Sequence, residues 1–162
     1  MDASVFLSWV EGLPPSVAIA ESGWLFPTIE TAHVIAIALV VGSILMVDVR
    51  LVGLGWHSRP VSDLTRELLP WTWVAFAMAI VSGLLMWASS AIHYTHNWPF
   101  LIKLGLILLA GINMACFHTL TQRAQNEWDR SLPPPRAVKM AGGISIGLWV
   151  TIVVLGRWIG FV

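Results

Sequence analysis

Residues 26–54, FPTIETAHVIAIALVVGSILMVDVRLVGL, decide the fold: an apolar run that opens with a Glu and a His and closes with an Asp and an Arg. Its core, Thr31 to Val47, is about one turn short of the roughly 20 residues that cross a bilayer as a helix, and the partly polar flanks supply the rest. The stretch reads as a first membrane span. Glu30 and His33 are three positions apart, so they project from roughly one side of that helix, near one membrane boundary. Polar side chains at such depth need partners or a function.

Composition agrees with a membrane reading. Of 162 residues, 57% are hydrophobic and only 11% are charged, far below the roughly 25% of a soluble domain. Formal net charge is zero and no basic stripe runs along the chain, which argues against nucleic acid as a partner. Cys116 is the only cysteine, so no intramolecular disulfide can form, and its apolar surroundings read as those of a small buried hydrophobe. The first twenty residues hold no Lys or Arg, so no cleavable signal peptide is predicted.

Outward from the first span, residues 1–23 carry Val5, Phe6, Trp9 and Val10 ahead of a break at Pro14 and Pro15, the pattern of a short amphipathic helix at the interface, with Ser16 capping a second turn. Further spans are expected at about 71–90, 100–120 and 140–161 beside the first at 26–48. The expected fold is therefore all-α: a four-helix transmembrane bundle forming a single membrane domain, with Asp63 to Leu69 as a brief surface helix after Ser62 and a tight loop over Ser89 to Pro99. Gly42, Gly83 and the pairs Gly143/Gly147 and Gly156/Gly160 offer close helix approaches, within the bundle or in a homo-oligomer. Arg50, Arg59, Arg66, Arg123, Arg130, Arg136 and Lys139 all fall on the side away from the termini. The positive-inside rule then puts both termini outside, which in a bacterial inner membrane means the periplasm.

The polar residues of the spans fall into two layers. His33 follows Phe26 by seven residues and His118 follows Phe100 by eighteen, on helices running the same way, so they differ in depth by about 16 Å and cannot share one iron. The outer layer holds Glu30, His33, Lys103 and Arg157 with His93 and His96 of the loop; the inner layer holds Asp48, Arg50, His118 and Arg123 with His57. Ionised groups within a span cost roughly 2.5–3.5 kcal/mol each at the helix centre, so their convergence points to a site. One chemistry suits both layers. A b-type haem takes neutral imidazole at its iron, an apolar slot for its ring and Lys or Arg near its propionates.

On that reading His33 is an axial ligand with His93 or His96 opposite and Lys103 or Arg157 at the propionates. His118, with His57, forms an inner centre with Arg50 or Arg123 in the propionate role. His33 and His118 are the metal ligands expected from within helices, and Trp149, deep in the last span, is suited to pack on a flat cofactor or on a neighbouring helix. A quinone carbonyl in the outer layer would meet His33 or Lys103. Asn113 is suited to an interhelical hydrogen bond. No HxxxH or CxxC pair supports a dedicated metal site, and Cys116 and His118 face different ways on one helix, so no nucleophilic couple is expected.

Several segments carry a resemblance: Trp24 to Gly55 with E-x-x-H at Glu30–His33 and DVRLVGL at Asp48–Leu54, LLPWTWVAF at Leu68–Phe76, Tyr94 to Lys103, NMACFHTLTQR at Asn113–Arg123, and GRWIGF ending at Phe161. Over most of its length the chain resembles an uncharacterised bacterial family of small four-helix inner-membrane proteins, and more loosely it is similar to cytochrome b561-type membrane proteins. The looser similarity implies one or two b haems and electron transfer between a quinone and a membrane or periplasmic redox partner. The competing expectations are a non-catalytic structural subunit, in which Glu30, His33 and Lys103 only fix helix register, and a small-acid or metal-ion carrier using Lys103 and Arg157.

Overall fold

The computed structural model describes residues 3–55, 58–121, 129 and 133–161. Among them lie α1 (Ala3–Glu11), α2 (Pro14–Glu21), α3 (Leu25–Val52), α4 (Val61–Ser89), α5 (Ala91–His96), α6 (Trp98–Cys116) and α7 (Arg136–Trp158), with a π-helical turn over Phe117–Thr121 and a 3₁₀ turn over Ile159–Phe161. Four segments, Leu25–Val52, Val61–Ser89, Trp98–Thr119 and Arg136–Phe161, are long and apolar enough to cross a membrane. Even the 22-residue third segment spans about 33 Å, more than the roughly 30 Å of hydrocarbon. Helix is the available solution because each backbone N–H and C=O in lipid must be paired within its own segment. The all-α, four-span architecture expected from the sequence is what the chain adopts.

The ends of the spans are fixed by identifiable caps. α3 stops at Gly53, whose φ of +85° suits a residue without Cβ; its N–H donates to the Arg50 carbonyl while Leu54 N–H reaches the Val49 carbonyl. α6 starts at Asn97, whose side chain accepts from Phe100 N–H, with Pro99 in the first turn. α4 is capped from a distance, the Asp129 carboxylate accepting from both the N–H and the hydroxyl of Ser62 at 2.9 and 2.6 Å.

Three local expectations are revised. The segment before Trp71 is no separate surface helix: α4 runs from Val61 straight through Pro70. At 29 residues, about 43 Å, it overshoots the hydrocarbon, so its proline falls toward the polar end, where a lost ladder bond costs least. Ser16 is buried and caps nothing, because α2 starts at Pro14 behind Leu13. Cys116 is exposed on the outside of α6.

Packing is serial rather than square. α3 lies between α4 and α7, and α7 in turn carries α6, so α4 and α6 form the two free edges of an arc. Ala36 and Val40 of α3 and Ala75 of α4 are buried where small side chains let those helices meet. Toward the end away from the termini, Leu51, Val61 and Val138 form a cluster joined by Val47 and Phe117. At the other end α1 and α2, bent by 66°, cover the bundle: α1 packs on α4 and α5, α2 on α3 and α4, and the Glu11 carboxylate accepts from Ile92 N–H at the start of α5. Phe6 and Trp9 of α1 remain exposed, in keeping with an interfacial helix.

Among the glycines, the tightest contact with a neighbouring helix is at Gly142. A Cβ there would lie 2.9 Å from Leu51 Cβ and 3.1 Å from the Asp48 carbonyl oxygen, whereas at Gly143, Gly147, Gly160 and Gly42 it would meet nothing within 4 Å. Of the glycines read from the sequence as contact points, Gly83 and Gly156 do meet a neighbouring helix, at His33 and Lys103 respectively. Gly142→Ala is expected to destabilise the bundle by about 1–3 kcal/mol through overpacking, and Gly143→Ala to leave it unchanged. Reversible unfolding in mixed micelles checks the contrast.

Candidate functional site

Because α4 and α6 do not close on one another, a groove of about 200 Å³ opens between them in the half of the bundle away from the termini. α4 contributes Thr65, Thr72, Trp73 and Phe76, α6 Ile107 and Asn113, the π turn Phe117 and His118, and the floor is made by Ser43 and Asp48 of α3 with Ser145 and Trp149 of α7. The π turn admits an extra residue per turn, a distortion common at functional sites. The lining is overwhelmingly apolar, with a few polar groups at the floor, the usual make-up of a small-molecule site.

Asp48 is the polar centre of that floor. It is 5% exposed, and the Ser145 side chain hydrogen-bonds to its carboxyl. Its Oδ2 is buried without a hydrogen-bond partner among the described residues. A buried carboxyl oxygen left unpaired carries the desolvation cost of that atom. Sequence reasoning put Asp48 in the inner layer but not among the site residues. An Asp after an apolar run and before an Arg reads as the end of a span, whereas α3 continues one turn further, to Val52, and brings Asp48 inside.

Hydroxyls around the groove are tied to the backbone. Thr65 donates to the Val61 carbonyl, and the hydroxyls of Ser43 and Thr72, 2.7 Å apart, each also lie within bonding distance of a carbonyl of their own helix, those of Val40 and Leu68. Asn113 Nδ2 donates to the Ala141 carbonyl at 3.1 Å, the interhelical bond its sequence position suggested, and so pins α6 to α7.

Of the other residues named from the sequence, His118 and Trp149 line the same groove, while His57 and Arg123 lie outside the described residues. Arg50 is buried, 1% exposed, and its guanidinium donates to the carbonyls of Arg59 and Asp129 at 3.0 and 3.1 Å. It therefore ties together the loop after α3 and the loop before α7; Arg59 itself is pinned to Glu67 at 2.6 Å.

In the half nearer the termini, His33 lies between α3 and α4. Its Nδ1 is 2.9 Å from Ser82 Oγ, and its Cε1 would be 3.1 Å from a Cβ at Gly83. Lys103 extends over Gly156, and its charge acts on the His33 ring. Arg157 does not join Lys103: it is exposed, with its guanidinium carbon 4.7 Å from the centre of the Phe161 ring. Glu30 is exposed, and its carboxylate acts on Tyr94. His93 and His96 lie exposed on α5, which is a short helix rather than the expected loop.

The imidazoles share a chemical state. Ser82 donates its hydroxyl hydrogen to the Met78 carbonyl at 2.6 Å, so it accepts from His33 Nδ1–H. His118 Nδ1 and His96 Nδ1 face the carbonyls of Met114 and Ile92, which can only accept. All three therefore carry a proton on Nδ1, which in a neutral imidazole leaves the lone pair on Nε2. That is the form in which histidine ligates iron, with the second nitrogen held by a hydrogen bond. In donor chemistry the residues present fit a haem. Among the described residues, no three His, Cys, Asp or Glu side chains gather as a metal cage.

Tyr94 gives this end of the molecule a measurable electrostatic signature. Burial disfavours its phenolate, and the Glu30 carboxylate repels that negative charge further, so both effects push its pKa above the ordinary value. Tyr94 is the only tyrosine in the chain, so absorbance at alkaline pH reads it alone. Its midpoint is expected above pH ~10, and Glu30→Gln is expected to lower it.

No curated protein and no solved structure matches the chain. A family model does match, over residues 8–162, nearly the whole sequence, and its description is that of a family of unknown function. The chain belongs to that family, DUF6644.

Proposed function

We propose that this protein is a membrane redox subunit of the b-type cytochrome kind, which takes a lipid-borne quinone into the groove between α4 and α6 and exchanges electrons with a membrane or periplasmic partner. The observation that carries the reading is the groove itself. It opens sideways between two spans, so a ligand dissolved in the bilayer can enter without crossing water, and the aromatic side chains that line it, Trp73, Phe76, Phe117 and Trp149, suit a flat ring. The few polar groups along it, among them Ser43, Asn113 and Ser145, would orient a headgroup.

A haem would supply one-electron storage and transfer. The groups that would hold it are His33 and His118, each hydrogen-bonded through Nδ1, which leaves Nε2 for the iron; His118 also edges the groove, which would bring electron carrier and quinone together. Lys103, a cation facing His33 from α6, suits a propionate. In a bacterial inner membrane, the positive-inside rule puts the termini in the periplasm and the groove toward the cytoplasmic side.

The test is spectral. Protein produced with haem available is expected to show a reducible Soret band, with His33→Ala and His118→Ala each removing one component. A folded, colourless preparation that also fails to bind quinone would sink the proposal.

A further inference from the structure

The polar side chains of the groove differ in how much of their hydrogen bonding the protein already uses. The hydroxyls of Ser43, Thr65 and Thr72 each lie within bonding distance of a carbonyl of their own helix, and His118 donates from Nδ1 to the Met114 carbonyl. The Asp48 carboxyl is buried, with its Oδ2 closed off from any ligand. Asn113 differs from all of these. Its Nδ2 gives one hydrogen to the Ala141 carbonyl of α7 at 3.1 Å, and because that carbonyl can only accept, the orientation of the amide is fixed. Oδ1 and the second Nδ2 hydrogen have no partner among the described residues, and Oδ1 is accessible, on a residue that lines the groove. Phe117, four positions on, lines the groove from the same side of α6, which sets an aromatic ring one turn from the amide.

We infer that Asn113 is the anchor of the ligand's ring oxygen and holds it in both oxidation states, Nδ2–H donating to the carbonyl of the quinone and Oδ1 accepting from the hydroxyl of the quinol. This rests on the groove being the quinone site proposed above. A primary amide carries a donor and an acceptor on adjoining atoms, so a ring oxygen that changes from carbonyl to hydroxyl keeps a partner on the same side chain. The ligand therefore stays in place when its oxidation state changes. The bond to Ala141 makes the amide a prepared group: it ties the side chain to the backbone of α7, so little of its rotamer freedom is left to lose when a ligand arrives.

The experiment uses the full chain in lipid nanodiscs, kept anaerobic, with two probes: a decyl-substituted benzoquinone carrying carbon-13 at its carbonyls, and its quinol. Calorimetry reads the affinities, and isotope-edited infrared spectroscopy reads the carbonyl stretch of the bound quinone. In the native protein that stretch is expected at lower frequency than in empty nanodiscs, as hydrogen bonding produces. Asn113→Leu is expected to weaken quinone and quinol alike, each by about five-fold, as the loss of one neutral hydrogen bond implies, and to return the stretch of whatever quinone still binds to its free position. A purely structural role for the Ala141 bond would lower affinity but leave the stretch shifted, and that result overturns the inference. So does a loss confined to one oxidation state, or an unshifted stretch in the native protein, either of which leaves the groove as a quinone site. No probe binding above empty nanodiscs overturns the underlying reading as well. Should Asn113→Leu not fold, the same two readouts on Asn113→Ser decide, since a small hydroxyl within a span bonds to its own helix and the amide is again removed.

Discussion

The approach of α7 to α3 at Gly142 is the contact on which the rest of the bundle turns. With the backbone of Asp48 and the Leu51 side chain against a bare Cα, α7 settles close to the central helix and brings α6 with it through the Asn113 bond to Ala141. α4 is held on the opposite flank of α3. Three interfaces joining four helices in series leave one gap, and that gap is the groove. A larger residue at 142 would move the floor and the far wall together.

Hydrogen bonding inside the spans follows from the scarcity of water. Ser43, Thr65, Thr72, Ser82 and Thr151 each return a hydrogen bond to a carbonyl of their own helix, as small hydroxyls do when no solvent competes. The same economy holds His33 and His118, whose Nδ1–H groups find an oxygen nearby. Against this background of satisfied groups, Asp48 Oδ2 is conspicuous, since a polar atom left alone in a low dielectric is expensive.

The two ends of the molecule are organised differently. At the end away from the termini, Arg50 and Asp129 stitch the loops: Arg50 holds two carbonyls, and Asp129 holds the first turn of α4. Near the termini, α1, α2 and α5 cover the bundle, with Glu11 capping α5 and Tyr94 packed 5.5 Å from Phe100, ring centre to ring centre. Arg50 was legible in the sequence as a topology marker, yet the structure gives it a packing role too. A guanidinium with five donors bridges two separate loops where an ammonium presents only three.

The sequence by itself determined the class of fold and the number of spans, because bilayer thickness imposes a length and a hydropathy that can be read residue by residue. It also singled out His33, Lys103, Asn113 and His118, since polar residues in apolar runs stand out. Only the tertiary structure decided which of these meet: that His33 rests on Gly83 and bonds to Ser82, that Arg157 turns away to Phe161, and that Asp48 forms the floor of a groove instead of ending a helix. The physical reason is that lipid is as apolar as leucine, so hydropathy does not distinguish the face a helix shows to its neighbour from the face it shows to the membrane. That choice is made by close contacts such as Gly142 on Leu51, which depend on the rotation of both helices and leave no period in either sequence.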